Sequence, residues 1–216
     1  MESLAEPVVK RSAEVKFARF LSYVFHPLLM PTYGFLLLFY TKNYIATFTL
    51  PKIKLIVIGI TFIFTFLLPL INSLILLKTG RIKSLEMHTL SERKIPYFTT
   101  SLYFFALFYL FYNADFPSIL NIMVLGAGIS IFLTFMISFL WKISAHTVGI
   151  GGIAGALLGM IYRLQLDMEG YFLLVLILSG LVGYARLKLH AHTPSQVYCG
   201  FVLGFLTELL LMMFYR

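Results

Sequence analysis

Seven stretches of this 216-residue chain are long and apolar enough to cross a lipid bilayer, and between them they take up almost all of it. A helical span needs about 20 mostly apolar residues at about 1.5 Å of rise each. The stretches cover roughly residues 20–40, 55–77, 95–112, 116–141, 146–162, 171–185 and 194–214. The sixth is short, and the first holds Pro27 and Pro31, which kink or interrupt a helix, so the expected fold is an all-α, polytopic transmembrane bundle of six to seven spans. Only 12% of residues are charged, about half of what a soluble domain uses to cover its surface. No segment is left for an independent soluble domain. The net charge of +8 sits in short loops between apolar runs rather than in a DNA-reading module, so no nucleic-acid partner is expected. The single Cys199 lies inside an apolar run, and an intrachain disulfide is excluded.

Residues 1–19 are polar, carry three Glu and lack the apolar core of a signal peptide, so they read as an interfacial lead-in to one transmembrane domain over residues 20–216. Gly151, Gly155 and Gly159 recur every four residues, and Gly200 and Gly204 repeat the interval. Such spacing lets helix backbones approach closely, which places the fifth and seventh spans at the bundle centre. The third and fourth spans, rich in Phe, Leu and Tyr, are expected to face lipid.

Three polar segments interrupt the spans: residues 78–96 (KTGRIKSLEMHTLSERKIP), 142–146 (KISAH) and 186–196 (RLKLHAHTPSQ). Two spans separate the first from the second and two more separate the second from the third. An even number of crossings returns a chain to the same face, so all three meet at one membrane boundary. Together they bring Arg81, Lys83, Arg93, Lys94, Lys142, Arg186 and Lys188 near His88, His146, His190 and His192. Phosphate-ester hydrolysis needs such a set: cations for the phosphoryl oxygens, one imidazole to attack phosphorus and another to protonate the leaving oxygen.

Local signals support the placement. Thr193, Pro194, Ser195 and Gln196 read as a capping box with Pro at the first helical position, so His192 directly precedes the last span. His146 opens the glycine-rich fifth span, with Ser144 as its cap. Helix N-termini attract phosphate and favour a neutral imidazole.

These residues resemble the motifs of the type 2 phosphatidate phosphatase superfamily, membrane lipid phosphatases related to vanadium haloperoxidases. The family pattern is Lys-x6-Arg-Pro, then Pro-Ser-Gly-His, then Ser-Arg-x5-His-x3-Asp. Here the third motif reads Ala185, Arg186, five residues, His192, three residues, Gln196, and the second reads Ile143, Ser144, Ala145, His146. The 39 residues between His146 and Arg186 match the family's usual spacing, and the motifs together cover about 120 residues. The first motif is incomplete, with Arg93, Lys94, Ile95 and Pro96 in place of an Arg-Pro pair and Glu86 where Lys would stand.

The resemblance implies a metal-independent phosphatase, with no cofactor, acting on a phosphate-bearing lipid in the bilayer. It makes His192 the nucleophile that forms a phosphohistidine and His146 the general acid, with Arg93, Lys94, Ser144 and Arg186 binding phosphate. Gln196 stands where the family has Asp; it serves either as the orienter of His192 or as a capping residue and nothing more. Lys83, Lys142, His190 and Glu92 are auxiliary candidates, Glu92 or Glu86 being a carboxylate that could make up for the missing Asp.

Other readings compete. A catalytically weak relative would bind an anionic phospholipid or help it move. A small transporter would use Glu208, the acidic residue deepest in a span. A metal site from His88, His146, His190 and His192 lacks supporting carboxylates or cysteines. His190 also fits an interfacial loop, His88 fits solvent or site, and His26 before Pro27 fits helix packing. The motif face carries twelve basic residues against five elsewhere, which places it in the cytoplasm. Setting aside four phosphate ligands leaves eight against five, and many family members act on the outer face, so the side stays open. The expected location is the bacterial cytoplasmic membrane, and oligomeric state is not readable.

Overall fold

The computed structural model of the chain describes residues 13–87 and 89–214. Ten helices follow one another: α1 (Ala13–Val24), α2 (Met30–Tyr40), α3 (Tyr44–Phe48), α4 (Pro51–Phe62), α5 (Leu68–Lys78), α6 (Leu90–Asn113), α7 (Ser118–Ile137), α8 (Ala145–Leu164), α9 (Glu169–Lys188) and α10 (Pro194–Phe214). They make seven stretches long and apolar enough to cross a membrane: α1 with α2, α4 with α5, and each of α6 to α10. Among the described residues the count is seven rather than six.

The first span is broken where its prolines lie. Phe25 and His26 leave α1, and a 3₁₀ turn at Pro27–Leu29 leads into α2, where Pro31 occupies the first turn and its missing N–H costs nothing. Tyr33 closes the break by donating its hydroxyl to the Val24 carbonyl at 2.9 Å. α1 packs against the motif-face end of α9, with Ala18 and Leu21 near Ala185 and Glu14 paired with Lys188. The boundary expected at residue 19 therefore falls inside a helix, and residues 1–12 lie outside the described residues.

The second span also departs from regular helix. A π-helical turn at Ile63–Leu67 joins α4 to α5, with the Leu68 N–H reaching back five residues to the Ile63 carbonyl just before Pro69. Thr65, within this turn, donates to the Leu28 carbonyl of the broken first span at 3.1 Å.

α8 and α10 make the most extensive contact of any helix pair. A methyl group at Gly151 or Gly155 would collide with the backbone carbonyl of Phe201 or Phe205, and one at Gly204 with that of Val148. Backbone thus lies on backbone, as the four-residue glycine spacing implies. The bundle centre is α7 and α8, each more than half buried, while α10 is buried along one face. Lipid exposure of the fourth span is corrected accordingly: α7 buries Gly126, Ser130 and Thr134, small residues at the same interval of four. Among the aromatics of α6, Phe104 and Phe111 are also core residues, whereas Tyr109 and Tyr112 are exposed.

Candidate active site

The three polar segments lie at one end of the bundle and surround the mouth of a cavity of about 980 Å³. Its rim is lined by Lys83, Arg93, Lys142, His146, Arg186, His190 and His192. Its walls continue between α2, α5, α6, α7 and α8 into the apolar interior, past Phe66, Phe104 and Leu157. Five basic residues line this space, Arg19 being the fifth, against two carboxylates, Glu86 and Glu208.

His192 sits half-buried in the short connection before α10. Its Nδ1 lies 3.0 Å from Oε1 of Gln196, and the Thr193 N–H donates to the same oxygen at 3.3 Å. A backbone N–H can only donate, so it fixes the amide with its oxygen inward, and His192 must then carry its proton on Nδ1. Nε2 is left with a free lone pair. Gln196 is therefore at once a capping residue and the orienter of the imidazole. Burial, followed by the charges of Arg93, Arg186 and Lys142, lowers the His192 pKa to about 3, against the opposing pull of the Gln196 hydrogen bond. Burial and the same two guanidinium groups also lower the pKa of Lys142.

Each arginine is held by a hydrogen bond to another part of the chain, Arg93 to residues 142–146 and Arg186 to α1. Arg93, 4% exposed, donates from Nε to the Met87 carbonyl at 2.9 Å and from Nη1 to the Ile143 carbonyl at 3.2 Å. Arg186 donates from Nη1 to Ser22 Oγ at 3.1 Å, and its buried Nε has no hydrogen-bond partner. His146 donates from Nε2 to the Ser22 carbonyl at 3.1 Å, which turns Nδ1 into the acceptor of the neutral ring. It is close enough to His192 for the two to interact electrostatically.

Three candidates have other surroundings. Lys94 does not line the cavity; its ammonium lies 4.5 Å from the centroid of the Phe139 ring, a cation–π contact facing away from the site. Ser144 is fully buried outside the cavity lining, where its hydroxyl caps α8 through the Thr147 N–H and its own N–H donates to the Gln196 carbonyl at 3.3 Å. Glu92 spends its carboxylate on the Lys83 N–H at 2.8 Å and on the N–H and hydroxyl of Thr89, a capping box that starts α6 at Leu90. It shapes the 78–96 segment rather than entering the site, whereas Glu86 does line the cavity. His190 lines the rim, exposed, in the left-handed conformation that ends α9. His88 lies outside the described residues; among those described, no three His, Cys, Asp or Glu side chains converge to hold a metal.

The first span contributes two residues that motif spacing did not bring in. Ser22 binds both Arg186 and His146, and His26 stacks edge-on against His146 with ring centroids 5.7 Å apart. His26 also accepts the Leu28 N–H at Nδ1, which starts the 3₁₀ turn. The signal available in the sequence was the pairing of His26 with Pro27, a helix break on the motif face.

No curated protein and no solved structure matches the chain. Residues 134–216, which hold α8, α9 and α10 with His146, Arg186 and His192, match the family model of the PAP2 superfamily. The superfamily inferred from the motifs is thus matched independently over the segment that carries the second and third of them.

Proposed function

We propose that the protein is a membrane phosphatase that hydrolyses a lipid or isoprenoid phosphate, as phosphomonoester or diphosphate, through a phosphohistidine on His192. The observation that carries this reading is the Gln196-held imidazole of His192, with Nε2 unprotonated, at the mouth of a cavity that is cationic at its rim and apolar within. A lipid's phosphate lies at such a boundary and its hydrocarbon below it. Members of the superfamily are phosphatases, which supports the same class of reaction.

In the proposed cycle Arg93, Arg186 and Lys142 draw charge from the phosphoryl oxygens while Nε2 of His192 attacks phosphorus. The bond from phosphorus to the leaving oxygen breaks, and His146, which first takes up a second proton at Nδ1 from the bound phosphate group, gives that proton to the leaving oxygen. Water then attacks the phosphohistidine, His146 takes the water's proton, and the phosphorus–nitrogen bond breaks to release phosphate. Ser144 contributes by capping α8 beneath His146, and Lys83 extends the cationic rim. The catalytic unit is one transmembrane domain over residues 20–216 together with the start of α1, in the bacterial cytoplasmic membrane, with no cofactor.

A weaker relative that binds or moves an anionic phospholipid is the second reading. It is favoured by one observation: the partner of His192 Nδ1 is an uncharged amide, where a carboxylate would stabilise the cation formed during attack. Phosphate release from a panel of lipid phosphates, in EDTA, separates the two. Wild type turns over and is blocked by vanadate, and His192→Ala loses about 10⁴-fold or more. Activity surviving in His192→Ala would overturn the mechanism. A gain of several orders of magnitude in Gln196→Asp over a barely active wild type would favour the binding protein.

A further inference from the structure

The cavity has a polar floor as well as a cationic mouth. Glu208, 14 residues beyond Pro194 on α10, lies roughly 20 Å along the helix from the site. It lines the cavity, is 4% exposed, and its buried Oε2 has no hydrogen-bond partner. Room for its carboxyl is built into α7: a methyl group at Gly126 would collide with all three of its terminal atoms. One turn nearer the mouth, Ser130 lines the same cavity, 5% exposed, and its hydroxyl is also without a partner. A lone polar atom in such surroundings forfeits the hydrogen bonds water would give it, so a group that is retained there calls for a partner. The five basic residues of the lining all belong to the outer end of the cavity, on α1, residues 78–96, residues 142–146 and the last turn of α9. An ionised carboxyl at Glu208 would thus stand unpaired at high cost, and the partner that suits it is an uncharged hydrogen-bonding group.

We propose that Glu208, with Ser130 beside it, is a second subsite for the same lipid, one that receives a hydroxyl or similar uncharged polar group carried on the hydrocarbon chain about 20 Å from the phosphate. The proposal rests on the phosphatase reading for the placement of the phosphate at the mouth. An extended chain advances about 1.2 Å per bond, as a peptide backbone does, so the polar group belongs roughly sixteen bonds from phosphorus. Preferred substrates are lipid phosphates with a hydroxylated chain, and plain chains that reach the floor are disfavoured because they leave the carboxyl unpaired.

Binding of non-hydrolysable phosphonates to the detergent-solubilised protein tests this. Wild type binds ω-hydroxylated hexadecylphosphonate about tenfold more tightly than hexadecylphosphonate. Glu208→Leu abolishes that preference, Glu208→Gln keeps it, and octylphosphonate, too short to reach the floor, binds wild type and both variants alike. Equal affinity of wild type for the two long ligands, or a preference that survives in Glu208→Leu, overturns the subsite. The wild-type comparison decides even if a variant does not fold. Turnover of the matching alkyl phosphates is read in parallel. Preference without turnover removes the phosphatase reading and leaves the subsite, turnover without preference does the reverse, and failure of all three phosphonates to bind overturns both.

Discussion

Two parts of this bundle, the α8–α10 pair and the α4–α5 span, meet their surroundings by opposite means. α8 and α10 meet backbone to backbone, with Gly151, Gly155 and Gly204 leaving no room for a methyl group. α4 and α5 touch the rest of the protein through scattered side chains, only 22% of their most apolar window is buried, and Gly59 has nothing within reach of an added Cβ. The first pair carries His146 and the helix that follows His192; the second carries apolar wall. Close-packed backbones transmit small displacements directly, so they suit residues whose positions must be held to fractions of an ångström. A wall that only excludes water tolerates looser contact.

The same contrast separates Arg186, within the segment matching the PAP2 family model, from Ser22, outside it. Arg186→Ala should lower the rate of phosphate release by about 10²–10³-fold, the usual loss when a donor to developing charge is removed. A loss no larger than that of Ser22→Ala would dissolve the distinction. Next in size, Gly204→Ala should cost about 1–3 kcal/mol of stability, read as a lowered melting temperature in detergent, since the Val148 backbone cannot give way. Ser22→Ala removes the hydrogen bond that Arg186 makes from Nη1 but leaves the guanidinium charge in the site, and should slow turnover between about two- and tenfold. Smallest, Gly59→Ala should leave stability unchanged or raise it by about 0.5–1 kcal/mol, because helical freedom is removed without a clash. Destabilisation there comparable to Gly204→Ala would show that α4 is packed as tightly as α8.

Acidity probes the rim itself. With the His192 pKa near 3, the acid limb of kcat/KM that belongs to the nucleophile should fall near pH 3 rather than 6.5. Folding is linked in the same direction. As pH drops below about 6.5 the unfolded chain takes up a proton that folded His192 refuses until about 3, so stability declines across that window. Melting temperatures at pH 7 and pH 4, with His192→Ala as the reference that lacks the titrating group, measure that contribution.

How much of this was legible in the chain follows from what each signal depends on. Apolar length and glycine spacing are local, and they located the spans and the α8–α10 contact. Parity of crossings brought residues 78–96, 142–146 and 186–196 to one face without knowledge of packing. The orientation of single side chains was not accessible in this way. Lys94 follows Arg93 by one residue, a turn of about 100° on α6, and that rotation sends it to Phe139 while Arg93 faces the cavity. Glu92 is a candidate carboxylate for the site by its place in the 78–96 segment, yet Thr-x-x-Glu at residues 89–92 is itself a capping box and claims the side chain first. Ser22 and His26 enter through a helix break whose direction no periodicity reveals. On α7 the signal was present in Gly126, Ser130 and Thr134, masked by the large apolar residues between them.

The π-helical turn at Ile63–Leu67 has a consequence for how this span tolerates change in length. A π turn winds one surplus residue into a helix, and each residue turns the helix by about 100°. Everything after Leu67 is therefore set by that single extra residue: Leu70 and Ser73 point to the cavity, and Asn72 reaches the Thr99 hydroxyl of α6 at 2.8 Å. Removing one residue from 63–67 would restore a regular helix and leave Leu70, Asn72 and Ser73 close to their present angular positions, whereas winding all five residues into regular α-helix would swing them about 100° off their partners. For this span the π turn absorbs a change in residue number that would otherwise become a change in angular phase.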